Sequence, residues 1–302
     1  MPRPFKYLWA ISLGASLIIA QIPAGQQVPE NSTTRVSEHV HAIVGFPNIA
    51  IVTGSRATLV VDTGMGPRNG AVIVREVNKL AQNPILYLTT THFHPEHAAG
   101  EQAFPPNTVL VRNKVQQEEM DQHGAEYLEL FSSRSASNKA LLEGVKLRPP
   151  DILFDREIKI DLGGVTARLF YLGPAHTKGD EMIFVEGDSV LIPGDIVQSK
   201  LVPNMPSADA SAKGWIAILD QLEMLKPRLI VPDHGALGDG SLIQKEKAFL
   251  VDARTRALEL KRKGTSVDDA GKMVTEELKA KYPDWQQGNI ANIVRRVYEE
   301  TP

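Results

Sequence analysis

Short apolar runs broken by glycine, proline or polar turns alternate along this chain with longer stretches in which apolar residues recur every three or four positions. Residues 40–44, 49–52 and 58–61 read as strands that open a mixed sheet. Residues 71–80 follow as a helix, with Val72, Val77 and Leu80 as its expected buried stripe. Residues 85–88 and 108–111 read as further strands. The polar stretch 114–143 has a helical pattern and either walls a substrate cleft or runs as a solvated helix. The second half repeats the logic. Strands are expected at 158–162, 165–172, 182–185 and 189–192, with Gly163-Gly164 and Glu186-Gly187-Asp188 as hairpin turns. From Lys213, the residues Trp215, Ile218, Leu219, Leu222 and Leu225 recur at helix spacing until Pro227 stops the run. Three helices close the chain: 242–263 before Gly264, one from the Ser266 capping box to about Lys281, and 290–299. Their amphipathic faces cover the sheet or, alternatively, form a dimer surface or lid.

Composition narrows the class. The chain has 302 residues, 42% of them hydrophobic, and a net charge of −3, so it can bury a sizeable core and lacks the basic footprint of nucleic-acid binding. No long low-complexity linker or repeat divides it, which predicts one domain over 26–302 with a C-terminal helical extension from about 241. Residues 1–25 have the pattern of an export signal: Arg3 and Lys6, an apolar run over 7–20, and small residues at Ala20, Ala24 and Gly25. Isoleucine precedes each alanine at position minus three, which leaves an uncleaved anchor as the alternative. The expectation is a periplasmic or secreted bacterial protein with no stable membrane association after cleavage. Without cysteine, lipoprotein attachment is excluded and export carries no disulfide requirement. In that context Asn31-Ser32-Thr33 matches a glycosylation acceptor only by accident.

The chemistry lies in the histidines. Thr91-His92-Phe93-His94-Pro95-Glu96-His97 gathers three imidazoles and a carboxylate just past a β-branched apolar run, the donor density a transition metal requires. Imidazole with carboxylate suits zinc, iron or manganese, whereas the lack of cysteine excludes a sulfur site. His176 follows the turn Gly173-Pro174, Asp195 follows Pro193-Gly194, and His234 precedes Gly235. Each sits at the end of a short apolar run, so four strand ends present metal-competent side chains that can converge on one cleft. Alone, Asp195 would read as a turn residue; its place between two histidine motifs raises it. His39, His41 and His123 read as structural, the first two in an edge strand and the third in the polar helical stretch.

The order His-x-His-x-Glu-His, Gly-Pro-Ala-His-Thr, Gly-Asp and Asp-His-Gly, together with Leu59-Val60-Val61-Asp62-Thr63-Gly64, resembles the metallo-β-lactamase-fold superfamily of metal-dependent hydrolases. The resemblance runs from about residue 36 to 235 and points to its cysteine-free, β-lactamase-, glyoxalase II- and lactonase-like members. It implies an α/β fold, an αββα sandwich of two mixed sheets flanked by helices, with the metal cleft along one edge. It implies two zinc ions per chain, with iron or manganese as alternatives. His92, His94 and His176 would hold the first ion, His97, His234 and Glu96 the second, and Asp195 would bridge them. Asp62 and Thr177, and less directly Asp233, would orient the imidazoles; Asp62 alternatively, or in addition, caps the segment that follows it.

The family usually has aspartate where this chain has Glu96, whose arm reaches ~1.5 Å further. The second ion would then be displaced, weakly held or absent, and Glu96 would ligate, accept the water's proton instead, or do both. The implied reaction is attack of metal-activated water on a carbonyl, opening a C–N or C–O bond in a β-lactam, lactone or ester, with Glu96 and Asp195 catalytic. Residues 201–206 either line the cleft with apolar side chains, favouring an uncharged or amphiphilic substrate, or pack as a loop. The alternatives are a mononuclear iron dioxygenase acting on a persulfide and a metal-binding protein of the same fold with little catalysis. A small-molecule substrate is the expected partner.

Overall fold

Backbone pairing sorts the strands into two sheets that face one another. The structure, a computed structural model, describes residues 27–286 and 288–301, so the export signal expected over 1–25 lies outside the described residues. The first sheet runs in chain order: β1 (Thr33–Arg35), β2 (Val40–Ile43), β3 (Ile49–Thr53), β4 (Thr58–Val61), β5 (Ile85–Thr89), β6 (Val109–Asn113) and β7 (Ile152–Phe154). Its pairs are antiparallel as far as β4 and parallel from β4 to β7. The second has the order β12 (Leu229–Ile230), β11 (Val190–Ile192), β10 (Glu181–Val185), β9 (Thr166–Tyr171) and β8 (Glu157–Asp161). Only its β11–β12 pair is parallel. β1 and β7, which the apolar pattern did not predict, are three-residue edge strands, too short and too exposed to show an alternation.

Three apolar layers follow from this stacking. Between the sheets, Val40, Val52, Leu59 and Val61 meet Ala167, Leu169, Ile183, Val185 and Ile192. On the outer face of the first sheet, Ile43, Ile51, Val60 and Leu88 pack with Ile73 and Val77 of α1 (Gly66–Leu80). On the outer face of the second, Met182, Leu191 and Ile230 pack against α5 (Ala212–Met224), α6 (Ser241–Arg262), α7 (Val267–Lys281) and α8 (Ile290–Glu300). The C-terminal helices thus cover the sheet. Trp215 of α5 is fully buried there and donates its Nε1–H to the Ile196 carbonyl at 2.8 Å. Burying one such aromatic contributes roughly 3 kcal/mol. In α1 the expected stripe needs correction: Val77 is buried, Val72 only half-buried and Leu80 is 37% exposed. Leu80 shares the azimuth of Ile73 and Val77 but sits in the last turn, where no layer covers it.

The stretch expected to be helical at 114–143 divides at Ser135 into α3 (Lys114–Arg134) and α4 (Ala136–Leu142), because Ser135 is extended and caps α4 by accepting from the Asn138 N–H. His39 lies before β2 and binds Asp188 through Nδ1 at 2.8 Å. His41 lies within β2, which pairs on both sides and so is not an edge strand. Among the described residues no helix is long and apolar enough to cross a membrane.

Glu181 stitches the sheets together beneath the cleft. Its backbone N–H donates to the Thr91 carbonyl at 2.7 Å, and its Oε2 accepts from the Asn113 N–H at 3.0 Å. Its Oε1 lies 2.5 Å from Thr89 Oγ1, whose hydroxyl is also 2.8 Å from the Val111 carbonyl. A hydroxyl has one proton, so when Thr89 donates to Val111 the short contact requires a proton on Glu181. Burial holds this carboxyl up at about 8, against the hydrogen bonds from Thr89 and Asn113. An acid whose folded pKa is raised binds more protons folded than unfolded, so its contribution to stability falls as pH rises from about 4.5 to about 8. Glu181→Gln keeps a donor for Thr89 and an acceptor for Asn113. Denaturant titrations of this variant from pH 5 to pH 8.5 are expected to show a shallower loss of stability than the wild type; an unchanged slope would remove Glu181 from this role.

Candidate metal centre

Each strand that ends at the cleft delivers one part of the site. β5 runs into Thr91 and His92, and the short helix α2 (Pro95–Ala98), capped by His94, carries Glu96 and His97. β9 leads to His176, β11 to Asp195 and β12 to His234. The Asp195 turn depends on Gly194, whose φ is +61° and where a Cβ would lie 2.8 Å from that of Thr91. All seven side chains expected at the site are buried.

Three ring nitrogens meet on the first side. His94 Nδ1 lies 3.0 Å from His92 Nε2 and 3.2 Å from His176 Nε2. Donor atoms of these three histidines all lie within 4.8 Å of one another. The edge of a tetrahedral zinc site with 2.0–2.1 Å bonds is about 3.4 Å, so the triad matches it. The opposite nitrogens are held elsewhere: His176 Nδ1 binds the Asn204 carbonyl at 2.8 Å and His92 Nδ1 faces Thr91 Oγ1 at 3.2 Å. The Asn204 carbonyl, which only accepts, places the His176 proton on Nδ1; Thr91, whose own proton goes to Asp62 or Asp233, can accept from His92 Nδ1, which leaves both Nε2 lone pairs for the cleft. Burial and the neighbouring imidazoles keep His92 and His94 well below their ordinary pKa, hence neutral and competent to ligate.

Asp195 stands between the two sides. Its Oδ2 is 3.3 Å from His176 Nε2, and its Oδ1 is 3.1 Å from His234 Nε2 and 3.9 Å from His97 Nε2. The contact with His234 is off the hydrogen-bond direction, so Oδ1 is close to a charge partner yet has no hydrogen bond. Burial opposes its charge, but His234 and His176 outweigh it and hold the carboxyl well below its usual range. His94 Nε2, Glu96 Oε2, His97 Nε2 and His234 Nδ1 are likewise buried without a hydrogen-bond partner. Of these atoms, His97 Nε2, Glu96 Oε2 and Asp195 Oδ1 are ones a cation in the cleft would satisfy, whereas His94 Nε2 and His234 Nδ1 lie on the ring sides opposite the nitrogens that face the site.

On the second side, His97 is gripped through Nδ1 by Asp62 at 3.1 Å and Asp233 at 3.2 Å. Asp62 adopts a left-handed backbone, φ +69°, which costs a non-glycine residue roughly 1–2 kcal/mol. It accepts from the Thr91 N–H at 2.7 Å and lies 3.0 Å from Thr91 Oγ1; that hydroxyl also reaches Asp233 at 2.9 Å. Burial works against a charged His97, but Asp62 and Asp233 raise it well above its ordinary value. Burial, with Asp62 beside it, raises Asp233 to about 7. Asp62 therefore orients an imidazole and does not cap the following helix, whose N-cap, Met65, has no side-chain bond. Donor atoms of His92, His97 and Asp195 also form a group within 4.8 Å, whereas among the described residues no such group includes Glu96 or His234.

Two expected orienting roles change places. Among the described residues Thr177 makes no hydrogen bond to an imidazole: its N–H and hydroxyl bind Asp180, which shapes the His176 turn. Asp233, the less direct candidate, meets His97. Within 201–206, Val202 and Met205 are packed in the core, and the segment contributes the Asn204 carbonyl to His176. Several contributors gave no sequence signal. Asn48 holds the His234 turn through the carbonyls of Pro232 and Gly235, and Phe46 stacks on His234 at 3.9 Å. Tyr127 of α3 stacks on His94 at 4.8 Å and 15°, so α3 is a wall of the cleft and not a solvated helix.

The comparisons with known proteins agree with this geometry. A sequence profile of the metallo-beta-lactamase superfamily matches residues 42–234, more than half of the chain. The chain belongs to the metallo-beta-lactamase superfamily. Its relatives are hydrolases by name, consistent with the expected metal-dependent hydrolase. A linear primary-alkylsulfatase from Pseudomonas sp. is 21% identical over 216 residues, 61% of this chain and 40% of that protein. A type 2 metallo-beta-lactamase from Bacillus sp. is 20% identical over 246 residues, 77% of this chain and 87% of that one. Among solved structures, a stereoselective inverting sec-alkylsulfatase from Pseudomonas sp. superposes with a TM-score of 0.73 at 16% identity, over 89% of this chain and 50% of its own. A metallo-beta-lactamase from Pontibacter korlensis gives 0.57 at 19%, over 72% and 97%. The chain thus spans half or less of the alkylsulfatases and most of the β-lactamases, and the shared αββα fold is the expected one.

If Asp62 sets the direction of His97 Nε2, Asp62→Asn should weaken zinc binding by about 10–100-fold in competition with a chromogenic chelator. Thr177→Val should change it far less. Equal effects would mean that neither acts through an imidazole.

Proposed function

We propose that the protein is an exported, zinc-dependent hydrolase that opens a carbonyl C–N or C–O bond in a β-lactam, lactone or ester-like small molecule. In this reading His92, His94 and His176 hold one ion, His97, His234 and Glu96 the other, and Asp195 is shared. The observation that carries it is the convergence of His92, His94 and His176 nitrogens on one another, beside buried carboxylate and imidazole atoms that no protein group satisfies. Zinc bound at such donors supplies Lewis acidity and a nucleophilic water near neutral pH, which no side chain in the cleft offers alone.

The chain's own residues do the rest. Asn204, Thr91, Asp62 and Asp233 fix the imidazole protons on the outward nitrogens. Glu96 has one oxygen without a partner, and burial raises its carboxyl above the ordinary range, against the pull of His97. Such a group can take a proton from the attacking water at Oε2 and return it to the leaving nitrogen or oxygen as the C–N or C–O bond breaks. Its other oxygen remains for ligation. An alkyl sulfate ester is a second substrate class, favoured by a likeness to the alkylsulfatase that extends over 89% of this chain. Export rests on the composition of residues 1–25.

Elemental analysis with a substrate panel tests this reading. Purified protein is expected to hold two zinc ions per chain and to turn over at least one of a chromogenic cephalosporin, a lactone, an aryl ester or an alkyl sulfate. A chelator should abolish the activity and zinc restore it, and His94→Ala should lower kcat/KM by roughly 1000-fold. One iron per chain with oxygen consumption on a persulfide would replace hydrolysis by oxidation. Inertness toward the whole panel, with or without His94, would leave a binding protein.

A further inference from the structure

We propose that the cleft selects substrates carrying an anionic group remote from the scissile bond, and that Arg134 is the specificity-determining residue that reads it. This names a substrate class within the hydrolase reading above and rests on it. Tyr127, Phe131 and Arg134 follow one another on one face of α3, at the spacing that aligns side chains along a helix. They form a ladder out of the metal centre. The Tyr127 ring stacks on His94, the Phe131 ring lies 29° from Tyr127 at 6.3 Å and 6.0 Å from His94, and the Arg134 guanidinium sits 3.6 Å above the Phe131 ring.

The aromatic steps are half-buried or buried and Arg134 is exposed, so the ladder runs from the cleft to solvent. No carboxylate among the described residues forms an ion pair with Arg134, yet its charge is among those felt at both His94 and Tyr127. A basic residue in the last turn already favours the helix dipole from any extended rotamer. Here the guanidinium carbon sits 3.6 Å from the Phe131 ring centre and the residue is exposed, so its N–H groups are available for two parallel hydrogen bonds to a carboxylate, sulfate or phosphate. Half-buried Tyr127 offers an apolar face for the linking part of such a molecule, while Phe131, buried in the core, supports Arg134 from beneath. Phe46 supplies an aromatic face beside His234, and this ladder supplies one beside His94.

The test compares ligands that differ in one charge. Suberanilic acid and the neutral octananilide are titrated calorimetrically into zinc-loaded wild type, Arg134→Gln and Arg134→Lys. The wild type is expected to bind the anion more tightly, and R134Q to weaken the anion about tenfold and erase that preference, with R134K intermediate. Raising salt should weaken the anion in the wild type and not in R134Q. In kinetics, the preference for mono-4-nitrophenyl suberate over 4-nitrophenyl octanoate should fall about tenfold in R134Q, through KM more than kcat. No preference for the anion in the wild type, or equal weakening of both ligands in R134Q, would overturn the proposal. If neither ester is turned over, these substrates give the hydrolase reading no support, while the calorimetry still decides the role of Arg134.

Discussion

Five imidazoles and two carboxylates are packed where almost no water reaches them, and several of their lone pairs meet no protein donor. Burying polar atoms in this state costs about 1–3 kcal/mol for each left unsatisfied, a cost that added positive charge would offset. A divalent cation does so without bringing a proton that would block a lone pair. The remaining features follow from keeping seven donors in place: two sheets that end at one edge, turns that deliver the donors, and carboxylates behind the rings.

The two sides meet this constraint differently. His92, His94 and His176 form a neutral triad, oriented by a hydroxyl and a backbone carbonyl. His97 is instead clamped by two carboxylates and draws charge to itself. The second side therefore already concentrates negative charge in Asp62, Asp233 and Asp195 before Glu96 is counted. A longer acid at position 96, with an unsatisfied oxygen, is compatible with such a site because it can serve as ligand, proton carrier or both. Glu181 and Asp180 underpin the floor as carboxyls that burial pushes up to about 8 and about 7. At neutral pH Glu181 is thus held mainly in its neutral form and Asp180 is divided between its two forms, alongside the apolar packing.

Legibility in the sequence tracked locality. The histidine cluster, the strand-then-turn placement of His176, Asp195 and His234, and the main strands and helices are written in short windows, and the order of motifs identified the superfamily. The pattern failed where long-range contacts decide. Leu80 has the right azimuth but no layer above it. Thr177 and Asp233 differ only in what the fold brings to them. Asn48 and Asn204 act through polar and main-chain contacts that no motif records. Tyr127 looked like one residue of a polar helix, and only the crossing of α3 over α2 shows it against His94.

Anomalous diffraction at the zinc edge from crystals grown with zinc tests the central claim most directly. The account predicts a strong peak enclosed by the ring nitrogens of His92, His94 and His176, and a second, of equal or lower occupancy, on the His97 and His234 side of Asp195. Absence of any peak in the cleft, or zinc bound only elsewhere on the protein, would contradict it.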